Sequence, residues 1–166
     1  ARTVKNKERV ERHALFILSF WGMLVYNEEN TFGGKTMSVP VLKLNKQEKE
    51  KLDAGFAAAF GGTPTRYFSA PGRTEIGGNH TDHQRGRVMA GAVNLDTVAA
   101  VATNGTDAIR IQSEGYPLTV VSISELVPNE AEYNTTAALV RGVAARFREL
   151  GCDVQGFDAY VTSTVL

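Results

Sequence analysis

The stretch Ala70-Pro71-Gly72-Arg73-Thr74-Glu75-Ile76-Gly77-Gly78-Asn79-His80-Thr81-Asp82-His83 constrains the chain most, because it concentrates charge where a core element cannot hold it. Buried charges need partners, so Arg73, Glu75, His80, Asp82 and His83 do not belong together inside a packed helix or strand. Gly72, Gly77 and Gly78 permit positive φ and a close approach of backbone to a ligand, while Pro71 fixes the entry and removes a donor. The stretch reads as a binding loop and its neighbours as the scaffold that presents it.

The 166 residues can bury one substantial core. Lys plus Arg and Asp plus Glu both number 18, so the net charge is zero. That leaves no electrostatic case for nucleic acid as the main partner and favours a small, locally recognised ligand. Cys152 is the one cysteine. It cannot form an internal disulfide, which points to a reducing, cytoplasmic setting and an inert thiol.

Residues 1–45 read as a leader distinct from residues 46–166. A basic start (Arg2, Lys5, Lys7, Arg9, Arg12) precedes the apolar run from Ala14 to Tyr26. The run has a signal peptide's outline, but no small-x-small cleavage site follows it. It is also shorter than the roughly 20 apolar residues a spanning helix needs, so no membrane partner is expected. Gly33-Gly34-Lys35-Thr36 before Met37 suggests another origin: a purine-rich ribosome-binding site translated in frame, with Met37 as the true start.

From Asn45 the pattern becomes regular. Asn45 and Glu48 have capping-box spacing, Leu52, Phe56 and Phe60 follow at helical spacing, and Gly61-Gly62 ends a helix over 46–60. Thr65 to Ala70 reads as a strand leading into the loop. Residues 88–93 and 97–102 read as two further strands, and Asn104-Gly105 signals a hairpin into the alternating strand 108–113. A short strand at 118–121 and a helix from about Asn129 to Leu150, stopped by Gly151, come next. Arg141, Arg146 and Arg148 read as that helix's solvated face. Residues 157–162 alternate as a last strand.

Taken residue by residue, the loop offers one cation, planar polar side chains and backbone donors. These suit a polyhydroxylated ligand: Asp82 accepts from hydroxyls, His80 and Asn79 are planar donors, and Arg73 can stabilise an oxygen nucleophile or a transferred phosphoryl group. Gly72 to Gly77 has the outer spacing of a phosphate-binding P-loop but lacks the Gly-Lys-Ser/Thr that follows in one. His80, Asp82 and His83 could ligate a metal, as in a metal-dependent hydrolase, yet no second ligand cluster accompanies them and no metal site is assigned. A purely structural reading, in which these polar groups satisfy one another, also stands.

Ser69-Ala70-Pro71-Gly72-Arg73 followed by Gly78-Asn79-His80-Thr81-Asp82-His83 is similar to the galactokinase signature A-P-G-R-V-N-L-I-G-E-H-T-D-Y, of the GHMP kinase superfamily. The resemblance extends over about residues 46–166. It implies an α/β (α+β) fold, a mixed β-sheet with packed helices like the GHMP kinase N-terminal domain (ribosomal protein S5 domain 2-like). It also implies ATP-dependent phosphorylation of galactose or a related hexose at the anomeric hydroxyl by a cytoplasmic monomer using ATP and Mg2+. Arg73 falls on the catalytic arginine, and Arg73, Asn79, His80, Thr81 and Asp82 on the sugar-binding positions. Ser113 falls on a nucleotide-contacting serine.

Departures from the pattern are also informative. Asn79 replaces a glutamate, Glu75 an asparagine and His83 a tyrosine, while Thr136 stands where relatives often carry tryptophan. No G-L-S-S-S-A phosphate loop follows the strand at 157–162. The chain is therefore expected to be a truncated N-terminal portion, inactive by itself. The alternative is a non-catalytic sugar-binding regulator of galactokinase-like fold.

Overall fold

The computed structural model describes residues 24–26, 44–78, 87 and 89–165. Among them run β1 (Leu24–Tyr26), α1 (Lys46–Phe60), β2 (Arg66–Gly77), β3 (Met89–Thr103), β4 (Ala108–Ser113), β5 (Thr119–Ser122), a 3-10 turn (Glu130–Glu132), α2 (Thr136–Glu149) and β6 (Phe157–Ser163). The described strands form one mixed sheet in the order β1-β2-β3-β6-β4-β5, in which only β4 and β6 pair in parallel. A mixed sheet with packed helices is the fold class that the resemblance implied.

The expected capping box starts α1. The Asn45 amide N–H donates to Glu48 Oε2 at 3.0 Å and the Glu48 N–H to Asn45 Oδ1 at 2.8 Å, satisfying two otherwise unpaired groups. Leu52 and Phe56 are buried against Tyr67, Ala100 and Tyr160. Those three lie in one cross-strand row, Tyr67 opposite Ala100 and Ala100 opposite Tyr160. At the edge of this core the Tyr67 hydroxyl bonds Asp53, and Lys49 reaches Asp53 at 2.9 Å while lying 4.9 Å above the Tyr67 ring. Burial, then the Asp53 hydrogen bond, pushes the Tyr67 hydroxyl pKa up.

A second cluster, Ile109, Ile123 and Ala144 with Ile111, Val140 and Phe157, holds α2. Phe157 and Tyr160 stand three residues apart on β6, so alternation puts α2 and α1 on opposite faces of the sheet. Gly151 ends α2 with φ of 80°, its N–H bonded to the Arg148 carbonyl and the Cys152 N–H to the Phe147 carbonyl, a complete Schellman cap. Cys152 thus serves a backbone role.

Several expectations are corrected. Residues 70–77 are not loop but the second half of β2, paired with β3 as a ribbon. Pairing supplies their backbone bonds, and exposure of Arg73, Thr74, Ile76 and Gly77 removes the objection to charge in a strand. The two strands expected at 88–93 and 97–102 are one, since Val93, Asn94 and Leu95 fall in an irregularity of β3 rather than a break. Asn104-Gly105 is no hairpin: β3 and β4 do not pair, because β6 lies between them.

The second helix begins at Thr136, with Thr135 as N-cap. The 3-10 turn and Asn134, whose φ is 63°, interrupt helical geometry before it. Arg146 and Arg148 are exposed, as the solvated-face reading expects, but Arg141 is not. Arg141 and Arg148 clamp the 122–132 segment through Glu132 and the carbonyls of Ser122, Ile123 and Glu125. Of the supposed leader, Leu24–Tyr26 pairs with Tyr67–Ser69. Residues 1–23 and 27–43, including Met37, lie outside the described residues.

Candidate functional site

The candidate site is built on the β2–β3 ribbon. Through Pro71 the strands pair regularly, with Ser69 opposite Val98 and Pro71 opposite Asp96. The next pair is Arg73 with Ala92, so Val93, Asn94 and Leu95 face the single residue Gly72. Proline tolerates such a place because no ladder N–H is required of it. Gly72 is needed for space rather than for φ: a Cβ there would lie 3.0 Å from Val93 Cγ2 and 3.1 Å from Val165 Cγ1. Of the three loop glycines, Gly78 alone takes a positive φ, 90°.

A polar knot fixes this corner. Ser69, fully buried, donates to Asp96 Oδ2 at 2.8 Å. The Asp96 N–H donates to Thr164 Oγ1 at 3.0 Å, and the Thr164 N–H to the Asp96 carbonyl at 2.9 Å. The exit of β6 is thereby tied to the bulge that turns β2 toward Arg73. Ser69 and Asp96 were not singled out from the sequence. The available signal was a lone acid inside the apolar run Val93 to Val101.

Arg73 extends from the ribbon with its side chain 68% exposed, its Nη2 3.5 Å from Glu75 Oε1. An exposed guanidinium in that position can meet an incoming oxygen without a large desolvation cost. Ser113 ends β4, opposite Val161 of β6. Its carbonyl accepts from the Tyr116 N–H at 3.1 Å and from Gln112 Nε2 at 2.9 Å. The row Ser113, Val161, Ala99, Phe68 crosses three strand spacings, and Phe68 precedes Arg73 by five residues. Spacing and rise therefore put Arg73 and Ser113 roughly 20 Å apart. Asn79, His80, Thr81, Asp82 and His83 lie outside the described residues.

A cavity of about 420 Å³ opens between α1, the bulged part of β3 and the end of β6. Leu52 and Val98 line its apolar side, and Lys51, Asp96, Glu114 and Thr164 its polar side. Lys51 Nζ closes one wall by bonding Glu114 at 2.8 Å. Among the described residues, no three His, Cys, Asp or Glu side chains gather as a metal site, and no helix is long and apolar enough to cross a membrane.

Residues 54–103 match the family model described as the galactokinase galactose-binding signature. Galactokinases of Lacticaseibacillus casei (strain BL23) and Lacticaseibacillus paracasei (strain ATCC 334) are each 43% identical over 63 residues, which is 38% of this chain and 16% of theirs. The chain thus spans well under two thirds of the relatives it matches. In fold it resembles Lactococcus lactis galactokinase, solved in complex with galactose, with a TM-score of 0.61 and 23% identity over 70% of this chain and 31% of that one. The chain therefore carries the galactokinase galactose-binding signature on a galactokinase-like fold, over the part of those enzymes' length that it spans.

Proposed function

We propose that the chain supplies the acceptor-sugar side of a galactokinase-like sugar 1-kinase, which transfers the γ-phosphoryl group of ATP to the anomeric hydroxyl of galactose or a related hexose. One observation carries the reading. The signature matched over 54–103 takes in Arg73 together with Asn79, His80, Thr81 and Asp82. The exposure of Arg73 on a ribbon anchored by the Ser69–Asp96–Thr164 knot supports it.

Arg73 favours negative charge developing on the anomeric oxygen. Asn79, His80, Thr81 and Asp82 bind the ring hydroxyls. Because the Asn79 amide both donates and accepts where the family's glutamate only accepts, it alters the preferred sugar epimer rather than the reaction class.

ATP with Mg2+ supplies the phosphoryl group and the cation that neutralises it. Ser113 suits a contact at the end of a nucleotide remote from Arg73. The described residues do not fit the whole nucleotide, since the sequence contains no glycine- and serine-rich phosphate loop. The 166 residues are proposed to bind sugar without turning it over, as a cytoplasmic monomer whose partners are small molecules.

The test is ADP release by the complete open reading frame with galactose, glucose, N-acetylgalactosamine and a mevalonate control. Release with a hexose is expected. Silence with every sugar, from a chain with an intact phosphate loop, overturns the reading. Sugar binding by a chain whose loop is eroded identifies a regulator instead. Arg73→Ala is expected to lower kcat by about 10²-fold or more while weakening sugar binding much less, and the opposite split reduces Arg73 to a positioning group.

A further inference from the structure

We propose that Glu75 determines ligand choice beside Arg73: together the two side chains accept a neutral hydroxyl and turn away an anionic group. The identity of the arriving sugar rests on the function proposed above, whereas the charge selection rests on the pair itself. The ribbon is regular here, Arg73 opposite Ala92, Thr74 opposite Gly91 and Glu75 opposite Ala90. Residues two apart on a regular strand share a face, so Arg73 and Glu75 point the same way. Their partners on β3 carry only methyl groups on that face, and no long side chain from β3 competes for the guanidinium.

The two charges differ in enclosure. The Glu75 side chain is 26% exposed against 68% for Arg73, so Glu75 is the more enclosed member and Arg73 the one more open to a ligand. The separation of 3.5 Å leaves a pair that a small group can bridge. A hydroxyl is suited to this, because it accepts from a guanidinium N–H and donates to a carboxylate oxygen at once. A carboxylate or phosphate can only accept. It would gain a bidentate bond to Arg73 but bring its charge against that of Glu75.

In phosphoryl transfer this has a direction. The acceptor arrives as a neutral alcohol and leaves as an anionic ester, so the pair favours substrate over product. The resemblance to galactokinases does not supply this device, since their signature has asparagine at the position of Glu75.

The experiment follows the Arg73 Nε–H resonance of the 15N-labelled chain during titration with galactose, galacturonate and inorganic phosphate. In the unmodified chain galactose is expected to bind in preference to both anions. Glu75→Gln should tighten phosphate and galacturonate by about tenfold while changing galactose less than about threefold. Raising salt in the unmodified chain should narrow the gap between neutral and anionic ligands without any substitution. An unchanged phosphate affinity in Glu75→Gln, or a gap indifferent to salt, overturns the proposal. If galactose gives no response while phosphate still tightens in Glu75→Gln, charge selection stands and the sugar-kinase reading falls.

Discussion

Gly55 shows how a single residue can contradict local preference for a tertiary reason. Glycine inside a helix costs up to about 1 kcal/mol relative to alanine, yet Gly55 lies in the middle of α1. A Cβ there would fall 2.2 Å from Cε1 of Tyr160, whose ring rests on the helix backbone. Gly55→Ala is therefore expected to destabilise the fold by about 2 kcal/mol, the overpacking cost outweighing the helix gain. Urea unfolding measures this, and a stabilised variant would refute the packing account. Gly72 follows the same logic at the candidate site, where Val93 and Val165 take the space that a side chain would need.

Among the elements, the connection from β5 to α2 depends most on charge. Arg141 bonds both Glu132 oxygens at 2.7 Å and the Glu125 carbonyl at 2.6 Å, with 13% of its side chain exposed. Arg148 adds a bond to the Ile123 carbonyl. The Arg141 hydrogen bonds hold the Glu132 carboxyl below its ordinary pKa of 4.5. A carboxyl depressed in the folded state contributes stability that is fully present above the unfolded value and lost as pH falls through the folded one.

Glu132→Gln is accordingly expected to destabilise the chain at neutral pH. The difference should shrink once the pH drops below 4.5. Thermal unfolding of both chains from pH 7 to pH 3 checks this, and a difference constant with pH would show that the ion pair is not its source. The helical stripe was legible in Val140, Ala144 and Phe147 because their spacing is local. The clamp was not, because Arg141 finds carbonyls up to nineteen residues away.

At the scale of the molecule, the placement of β6 between β3 and β4 governs the rest. Residues 104–107 must pass over the start of β6 to reach β4, and they do so against Gly156. A Cβ there would lie 2.0 Å from the Thr106 carbonyl oxygen and 2.7 Å from that of Ala108. Beside this crossing Asp158, 6% exposed, accepts from Arg110 Nε at 2.6 Å and Asn104 Nδ2 at 2.7 Å. Backbone cannot yield as a side chain can, so Gly156→Ala is expected to cost about 3 kcal/mol. Amide exchange should rise in β4 and β6 before α1, and uniform protection across the sheet would show that the crossing is not the joint.

The sequence alone determined what depends on near neighbours. The Asn45–Glu48 cap, the Leu52, Phe56, Phe60 spacing, the Schellman glycine and the alternation of Ile109 and Ile111 all follow from helical and strand periods that act within a few residues. The A-P-G-R motif was equally plain. Tertiary structure decided what depends on partners far along the chain. It converted the expected loop into a ribbon, joined two expected strands through the Gly72 bulge and turned an expected hairpin into a crossing. It also faced Arg73 toward Glu75 with only alanines opposite. A strand's pattern says which face is apolar but not which strand lies beside it, because pairing is selected by whole faces that must be covered together.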